Sequence, residues 1–228
     1  MLSILCWKWK SSPSAREQFT SKDVNILYAM LKRNLTIPFK LFCITDDDTG
    51  IRKEIEPFPL WNVPDVKNWP AKKPNCFRRL RMYSKEAKGW FGDTIFSIDL
   101  DVVILKNIDD IVSREEEFIA WTKGGTRYQG AMILHKTGTR VQLWEAFHPV
   151  KVPQMIRDKK LVGSDQAWVS FKLPKNETVW TPEKDGIYSY KFHIRNKPLP
   201  QNAKIILFHG TPKASQINDK WCRENWKL

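Results

Sequence analysis

Short apolar runs alternate with segments of helical spacing along most of the chain. The apolar runs predict strands at 2–7, 39–45, 94–98, 102–105, 118–121, 131–134 and 203–208. Apolar residues three and four positions apart predict helices at 23–34, 75–88, 140–147 and 165–171, with Thr20 or Ser21 and then Ser164 as N-caps. Strands that alternate with helices in this way are typical of an α/β protein.

The longest predicted irregular segment runs from residue 57 to residue 74. Five of the fourteen prolines of the chain fall within it. Proline lacks a backbone donor and fixes φ, so this density disfavours both helices and central strands. A loop of this length inside a compact domain is frequently a functional one.

The composition indicates one folded domain with a strong positive charge. The chain has 228 residues, 42% of them hydrophobic and 28% charged, which excludes a disordered or fibrous protein. Lysine and arginine number 38 against 25 acidic residues, for a net charge of +13. This balance favours an anionic partner, such as a nucleotide, a nucleic acid or an anionic membrane face.

Cysteine usage and hydropathy suggest the cellular setting. The cysteines, Cys6, Cys43, Cys76 and Cys222, lie far apart, which predicts reduced thiols rather than a disulfide framework or a zinc site. The N-terminal apolar stretch is too short for a secretory signal, and no apolar run reaches about eighteen residues. We therefore expect a soluble, cytoplasmic protein, and nothing in the sequence indicates an obligate protein partner.

Two aspartates interrupt the apolar segment FSIDLDVVIL at residues 96–105. Asp99 and Asp101 are two positions apart, so in an extended chain both side chains point to the same side. Carboxylates in apolar surroundings need a cation or hydrogen-bond donors to compensate them. A divalent cation that also binds substrate phosphates fits this pattern, and solvated acids at a strand end are the alternative.

A histidine follows the last predicted strand, in the segment LFHGTPK at residues 207–213. The neutral imidazole of His209 can complete a metal site, Gly210 permits close approach of the backbone, and Lys213 can neutralise a phosphate. A lone histidine at a strand end is more often structural. Combined with the two aspartates, however, it favours a site for a metal and a phosphorylated substrate.

Five segments in this order resemble the GT-A glycosyltransferases of glycosyltransferase family eight. FSIDLDVVIL resembles the family's DxD segment, and LFHGTPK resembles its HxGxxKPW-type signature. SDQAW (164–168), YQGAMILH (128–135) and FRRLRMY (77–83) resemble its DQD segment, its NSG-containing strand and the helix before the DxD. The resemblance implies a single GT-A domain of the α/β class, Rossmann-like with a mixed central sheet, at residues 1–213, and a C-terminal tail at 214–228.

The resemblance also implies a reaction and its residues. The enzyme would be a hexosyltransferase that moves a hexose from a UDP-sugar to a hydroxyl acceptor, with retention of configuration. Manganese, or magnesium, would be bound by Asp99, Asp101 and His209. The reacting sugar would face Asp165 and Gln166. The donor would be held by Cys6, Trp7, Lys8, Asp46, Arg78 or Arg79, Asp99, Leu100, Gly130, Gly210 and Lys213.

The chain departs from the family's signatures at three places. Ala167 stands where the DQD segment has its second aspartate, and Ala214 stands where the lysine signature has proline. The NSG segment reads Tyr128-Gln129-Gly130. The resemblance therefore leaves the identity of the donor sugar open.

Residues 67–88 concentrate positive charge, with eight basic side chains against one acid. The basic residues are Lys67, Lys72, Lys73, Arg78, Arg79, Arg81, Lys85 and Lys88, interleaved with Trp69, Phe77 and Tyr83. The segment favours a polyanionic acceptor, and DNA slightly over a membrane, because aromatic rings stack on bases. The corresponding acceptor is a hydroxylated base in DNA, of the kind that some bacteriophage enzymes modify.

Two alternatives stay open. A lipopolysaccharide or lipid-linked acceptor at the membrane surface fits the same charge, with basic and aromatic residues of the tail, 218–228, as an anchor. A non-catalytic nucleic-acid-binding module on a degenerate GT-A fold would need the arginines of the basic segment but not Asp99 and Asp101.

Overall fold

The computed structural model describes residues 1–10, 18–61, 75–122 and 127–228, which form an α/β fold around a mixed sheet. The strands are β1 Leu2–Lys8, β2 Phe39–Thr45, β3 Glu56–Pro59, β4 Thr94–Ile98, β5 Val102–Ile104, β6 Phe118–Thr122, β7 Tyr128–Lys136, β8 Thr178–Trp180, β9 Ile187–Ser189 and β10 Ile205–Leu207. The α-helices are α1 Ser21–Asn34, α2 Ala87–Phe91, α3 Asp109–Val112, α4 Gln142–Glu145, α5 Lys151–Asp158, α6 Asp165–Lys172, α7 Pro182–Asp185 and α8 Lys220–Asn225. Short 3₁₀ helices lie at Cys76–Tyr83 and Ala214–Gln216, and a π-helical turn lies at Tyr190–Ile194. The predicted α/β class with a mixed central sheet is confirmed.

The large sheet has seven strands in the order β3-β2-β1-β4-β7-β6-β8. Strands β3, β2, β1 and β4 pair in parallel, whereas β7 is antiparallel to both β4 and β6. The carboxyl ends of the parallel strands therefore meet at one edge. In open α/β sheets this is the edge at which ligands bind.

A second sheet of three strands, in the order β5-β10-β9, begins directly after β4. The chain leaves the large sheet at Ile98 and enters the small one at Val102, so Asp99-Leu100-Asp101 forms the crossing. β10 runs antiparallel to β5, and the N–H of Phe208 donates to the carbonyl of Asp101 at 2.9 Å. The segment after β10 therefore starts beside the two aspartates.

Hydrophobic side chains cover both faces of the large sheet. Ile4 and Cys6 of β1 point into a first cluster with α1 and the small sheet, whereas Leu5 and Trp7 point into a second. The second cluster includes the 3₁₀ helix and helices α2, α4, α5 and α6. Burial of each large apolar side chain contributes about 1.5–3 kcal/mol, so both faces help to fix β1 at the centre of the sheet.

The predicted helix at 75–88 is helical in the structure but is interrupted, and its first part is a 3₁₀ helix rather than an α-helix. The chain forms the 3₁₀ helix Cys76–Tyr83 and then the separate short helix α2. The predicted helix at 140–147 shortens to α4, and Arg140 lies before it, where it makes ion pairs with Glu117 and Glu177. Ser164 does sit before α6, but its hydroxyl donates to the Asp165 carboxylate at 3.1 Å rather than capping the helix.

The first part of the predicted loop is a strand. Pro57 and Pro59 belong to β3, which pairs in parallel with β2 at the edge of the sheet. Proline is tolerated there because an edge strand leaves some of its N–H positions without a ladder partner. Residues 62–74, which include Lys67, Trp69, Lys72 and Lys73 of the basic segment, lie outside the described residues.

Residues 214–228 pack against the first hydrophobic cluster. Ala214, Ile217 and Cys222 are buried in it. The guanidinium of Arg33, at the end of α1, donates to the carbonyl of Asn225 at 2.7 Å. Among the helices that the structure describes, none has the length and apolar character needed to cross a bilayer.

Candidate active site

The candidate site lies where the aspartate crossing meets β7 and the start of α6. The backbone N–H of Asp99 donates to the carbonyl of Ala131 in β7 at 2.9 Å. This bond fixes the crossing beside Gly130, the neighbour of Ala131 in the same strand. Asp165 opens α6, whose residues also pack on β7.

Arg79 joins these elements into one charged cluster. Its Nη2 lies 2.7 Å from Asp99 Oδ1, and its Nη1 donates to the carbonyl of Gly130 at 2.9 Å. Its Nε lies 4.0 Å from Asp165 Oδ2. The guanidinium carbon also lies 5.9 Å from the centre of the Trp7 ring. We call Arg79, Asp99, Gly130 and Asp165 the arginine cluster.

Burial and charge act in opposite directions on the arginine. Burial alone would lower the pKa of Arg79, but the carboxylates of Asp99, Asp165 and Asp101 raise it overall. The guanidinium is therefore permanently charged. Loss of either carboxylate would leave an uncompensated buried charge, so both ion pairs favour the observed position of the guanidinium.

Burial raises the pKa of the Asp165 carboxyl above its ordinary value, while the positive charge of Arg79 pulls it down. Asp165 as a whole residue is 7% exposed. A buried acid with an adjustable proton affinity at the edge of a sheet is a common feature of catalytic sites. Arg79 therefore offsets part of the effect of burial on the pKa of Asp165.

Gly130 is required by the close approach of these side chains. A Cβ at this position would lie 2.9 Å from Asp165 Oδ2 and 3.3 Å from Arg79 Nη1. Gly163 leaves room for Gln166, which follows Asp165 in α6. A side chain at position 163 would overlap Gln166, and the φ of +104° also favours glycine there. Gln166 is half-buried in the first turn of α6, beside Asp165.

The second aspartate has a different partner. Lys213 Nζ donates to Asp101 Oδ2 at 2.6 Å, and the same ammonium lies 5.2 Å from the centre of the Phe19 ring. His209 stacks on Trp121 with ring centres 5.0 Å apart and planes 18° apart. Asp101, Lys213 and His209 thus form the side of the site next to the small sheet.

The donor set suits a hard or borderline divalent cation, since it offers two carboxylates from the crossing between β4 and β5 and one imidazole from the segment after β10. Within the described ranges, however, no three side chains of His, Cys, Asp or Glu are grouped closely enough to hold a metal. Asp99 is paired with Arg79, and Asp101 with Lys213. Metal binding by these residues therefore stays a prediction.

The residues predicted to hold the nucleotide take several positions. Cys6 is buried in the first hydrophobic cluster and Leu100 is 2% exposed. Trp7 Nε1 donates to Ser97 Oγ at 2.8 Å, so the indole is fixed against β4. Lys8 Nζ donates to Thr45 Oγ1 at 3.3 Å and to the carbonyl of Asp47.

Asp46 and Arg78 are held in different ways. The carboxylate of Asp46 accepts the backbone N–H of Lys10 at 3.0 and 3.1 Å, which ties the end of β1 to the end of β2. The carbonyl of Arg78 accepts the indole N–H of Trp61 at 2.6 Å. Of the two arginines considered from the sequence, Arg79 is the one that contacts Asp99.

Two functional contacts were not predicted from the sequence. Trp121 stacks on His209 from the end of β6, and Gly163 makes room for Gln166. Trp121 looks like an ordinary core tryptophan in the sequence, and nothing there links it to residue 209. The order Gly163-Ser164-Asp165 does carry a weak signal, because a glycine often precedes a helix start that approaches a ligand.

The described part of the basic segment is largely compensated. Lys85 pairs with Glu145 at 2.7 Å and Lys88 with Asp93 at 2.9 Å. The guanidinium of Arg81 lies between two indoles, 5.3 Å from the Trp90 ring and 5.8 Å from the Trp144 ring. Positive charge that is already paired in this way is less available to bind a polyanion.

Comparison with known proteins shows the fold. No protein-family model and no curated protein matches the chain. Among solved structures, the galactosyltransferase LgtC in complex with donor and acceptor sugar analogues is similar, with a TM-score of 0.56 and 9% identity over 99% of this chain and 97% of LgtC. An active-site mutant of LgtC is similar with a TM-score of 0.58 and 8% identity, over 97% and 93% of the two chains. The chain therefore has the GT-A fold, and these neighbours lend no support to a DNA acceptor.

Proposed function

We propose that this chain is a metal-dependent glycosyltransferase that moves a hexose from a UDP-sugar to a hydroxyl acceptor. The observation that carries the proposal is the arginine cluster beside the Asp101–Lys213 pair, at the ligand-binding edge of a GT-A fold. Five charged groups fixed there are costly unless a charged substrate uses them.

The side next to the small sheet would hold the diphosphate. Asp99, Asp101 and His209 would bind manganese or magnesium, which when bound supplies a positive charge that stabilises the departing diphosphate. Lys213 carries its ammonium on a long flexible stem, so it would be able to change partners. With Asp101 bound to another cation, Lys213 would be released to neutralise a phosphate, and the backbone at Gly210 would leave room for it.

The side next to α6 would hold the sugar. Gln166 presents a carboxamide next to Asp165, and both would face the ring where positive charge develops at the reacting carbon. The Arg79 guanidinium would keep the Asp165 carboxylate ionised and in place. Trp7 and Lys8 would flank the nucleotide at the end of β1, with Asp46 closing the end of β2. Retention of configuration is part of the proposal.

The test is UDP release from UDP-glucose, UDP-galactose and UDP-N-acetylglucosamine, each with manganese or with EDTA. The variant Asp99→Asn with Asp101→Asn should lose the activity, because the site then lacks its anionic ligands. Asp93→Asn is the matched control, since Asp93 precedes β4 at the opposite end of the strand that Asp99 follows. Metal-dependent release in the wild type and in Asp93→Asn, lost in the double variant, would support the proposal and name the donor.

The competing function is a nucleic-acid-binding module without catalysis. It predicts no UDP release from any donor, together with DNA binding that survives Asp99→Asn and Asp101→Asn. Charge reversal at Arg78 and Arg81 would then abolish that binding. This outcome would overturn the enzymatic proposal.

A further inference from the structure

An apolar and basic surface lies at the end of α5, the loop at 159–163 and the end of α6. Its apolar members are unusually open to solvent: Leu161 is 36% exposed, Val162 61% and Phe171 47%. Lys159, Lys160 and Lys172 stand among them and are also exposed. We call these six residues the α5–α6 patch.

Side-chain contacts make the patch continuous. Lys159 Nζ, from the loop, lies 5.6 Å from the centre of the Phe171 ring on α6. Phe171 stacks on Trp168 with ring centres 6.1 Å apart, and Lys172 Nζ lies 5.3 Å from that indole. The ammonium groups of Lys159 and Lys172 therefore each lie over an aromatic ring, which brings positive charge and apolar surface together at this face. Long side chains of this kind can keep their apolar stems in the lipid and their charge at the water–lipid boundary.

The charge around the patch is mainly positive. Residues 150–175 contain six basic side chains and two acids, and one of the acids is the buried Asp165. Asp158, the other acid, is exposed and accepts a hydrogen bond from the amide of Gln154 at 2.7 Å, so it offsets only one of the six positive charges. Lysines beside exposed aliphatic and aromatic side chains complement a negatively charged surface that also accepts apolar groups.

We propose that the α5–α6 patch docks this protein onto an anionic lipid bilayer. Nucleic acid would use the lysines but gives no purpose to exposed Leu161 and Val162, whereas lipid uses both kinds of side chain. A second copy of the patch would bring lysines against lysines. Peripheral attachment also fits a chain whose described helices include none able to span a membrane.

The position of the patch gives docking a consequence. Its loop leads through Gly163 and Ser164 directly to Asp165 and Gln166. A bilayer held against the patch would thus lie next to the side of the site assigned to the sugar. If the proposed function holds, on which this step alone rests, the acceptor hydroxyl belongs to a lipid-linked molecule.

The experiment is flotation of the purified protein with vesicles of phosphatidylcholine alone or mixed with phosphatidylglycerol, at low and high salt. Lys159→Glu with Lys160→Glu should weaken binding to the anionic vesicles by about 30-fold or more, given the usual contribution of each lysine near such a surface. Phe171→Ser with Val162→Ser should weaken it by about tenfold through lost apolar contact.

Control variants make the same lysine changes, and the same phenylalanine change, elsewhere in the protein. Lys32→Glu with Lys53→Glu changes the net charge by the same amount as the lysine patch variant, at two exposed lysines that are distant from the patch in the sequence. Phe192→Ser removes a phenylalanine of equal exposure, 48%, from a turn that packs on the first hydrophobic cluster rather than the second. Thermal unfolding of every variant checks that it is folded.

Binding to anionic vesicles that is lost in both patch variants and kept in both controls would support the proposal. Three results would overturn it: no vesicle binding by the wild type, equal losses in patch and control variants, or binding to a DNA duplex that tolerates Phe171→Ser. Parallel UDP release without vesicles separates the two proposals. Vesicle binding without UDP release would retain the docking surface and reject the enzyme.

Discussion

Replacing Arg79 by leucine would leave two carboxylates and one carbonyl without their shared donor. The side chains involved are mostly buried, with exposures of 13% for Arg79, 21% for Asp99 and 10% for Asp165. Breaking a buried ion pair by removing one partner costs about 3–5 kcal/mol. Because Asp99 retains some contact with water, we expect Arg79→Leu to lower the free energy of unfolding by about 3 kcal/mol at neutral pH.

The loss should depend on pH in a defined direction. Burial already raises the pKa of Asp165, and Arg79 opposes that rise. Without Arg79 the pKa rises further, so the folded variant holds its proton more tightly than the unfolded chain does. The protonated Asp165 carboxyl therefore contributes its full stabilisation at a pH below the pKa of the unfolded chain. This contribution is lost as the pH rises through the pKa of the folded variant. The deficit of Arg79→Leu should therefore be largest at neutral pH and shrink towards about pH 4.

Urea denaturation followed by tryptophan fluorescence measures the free energy of unfolding at neutral pH and at about pH 4. The rescue variant, Arg79→Leu with Asp165→Asn, should recover part of the loss at neutral pH, because it removes one unpaired charge. Arg52→Leu is the control: it breaks an exposed pair with Glu54 and should cost less than about 1 kcal/mol. A deficit that is the same at both pH values and is not reduced by Asp165→Asn would refute the assigned charge balance.

Three further predictions follow from particular contacts. In Gly130→Ala the new methyl group would lie 2.9 Å from Asp165 Oδ2, so we expect UDP release to fall about a hundredfold without unfolding, and unchanged turnover would contradict this. Burial lowers the pKa of His135 to about 4 in the folded state. The neutral imidazole therefore contributes its full stabilisation above the pKa of the unfolded chain, and this contribution is lost as the pH falls through the pKa of the folded state. Urea curves should therefore show the wild type losing about 3 kcal/mol between about pH 6.5 and about pH 4, and His135→Phe losing correspondingly less. Arg33→Met removes the bond to the carbonyl of Asn225 and should speed hydrogen exchange in α8 by a few-fold, corresponding to about 1 kcal/mol, whereas unchanged exchange would argue against this tether.

The central strands were predictable because their side chains are buried on both faces. β2 and β4 have the predicted bounds, since each is a mostly apolar segment followed directly by an aspartate. The three-residue strands β8 and β9 were not predictable. Their pairing with β6 and β10 supplies the order that so short a segment lacks.

The 3₁₀ winding of residues 76–83 has a local cause that is visible in the sequence. Phe77, Leu80 and Tyr83 recur every three residues, which is the period of a 3₁₀ helix rather than the 3.6 residues of an α-helix. All three are buried, so the tighter winding keeps one narrow apolar face against the second cluster. The same winding directs Arg79, between two of these positions, towards Asp99.

The pairing of the two aspartates could not be predicted from their spacing. An extended chain would place Asp99 and Asp101 on one side. The chain instead changes sheets between them, and each carboxylate meets its own cation, Arg79 or Lys213. That separation depends on where β10 pairs with β5, more than 100 residues later in the chain.

The proposed function requires that the edge formed by Asp99, Asp101 and Lys213 bind a nucleoside diphosphate together with a divalent cation. Calorimetric titration of UDP into the protein, with manganese and then with EDTA, measures this binding. We expect binding that requires manganese, that weakens by about tenfold or more in Asp99→Asn and that is unchanged in Asp93→Asn. UDP binding of equal affinity in the wild type and in Asp99→Asn, or none in the wild type, would contradict it.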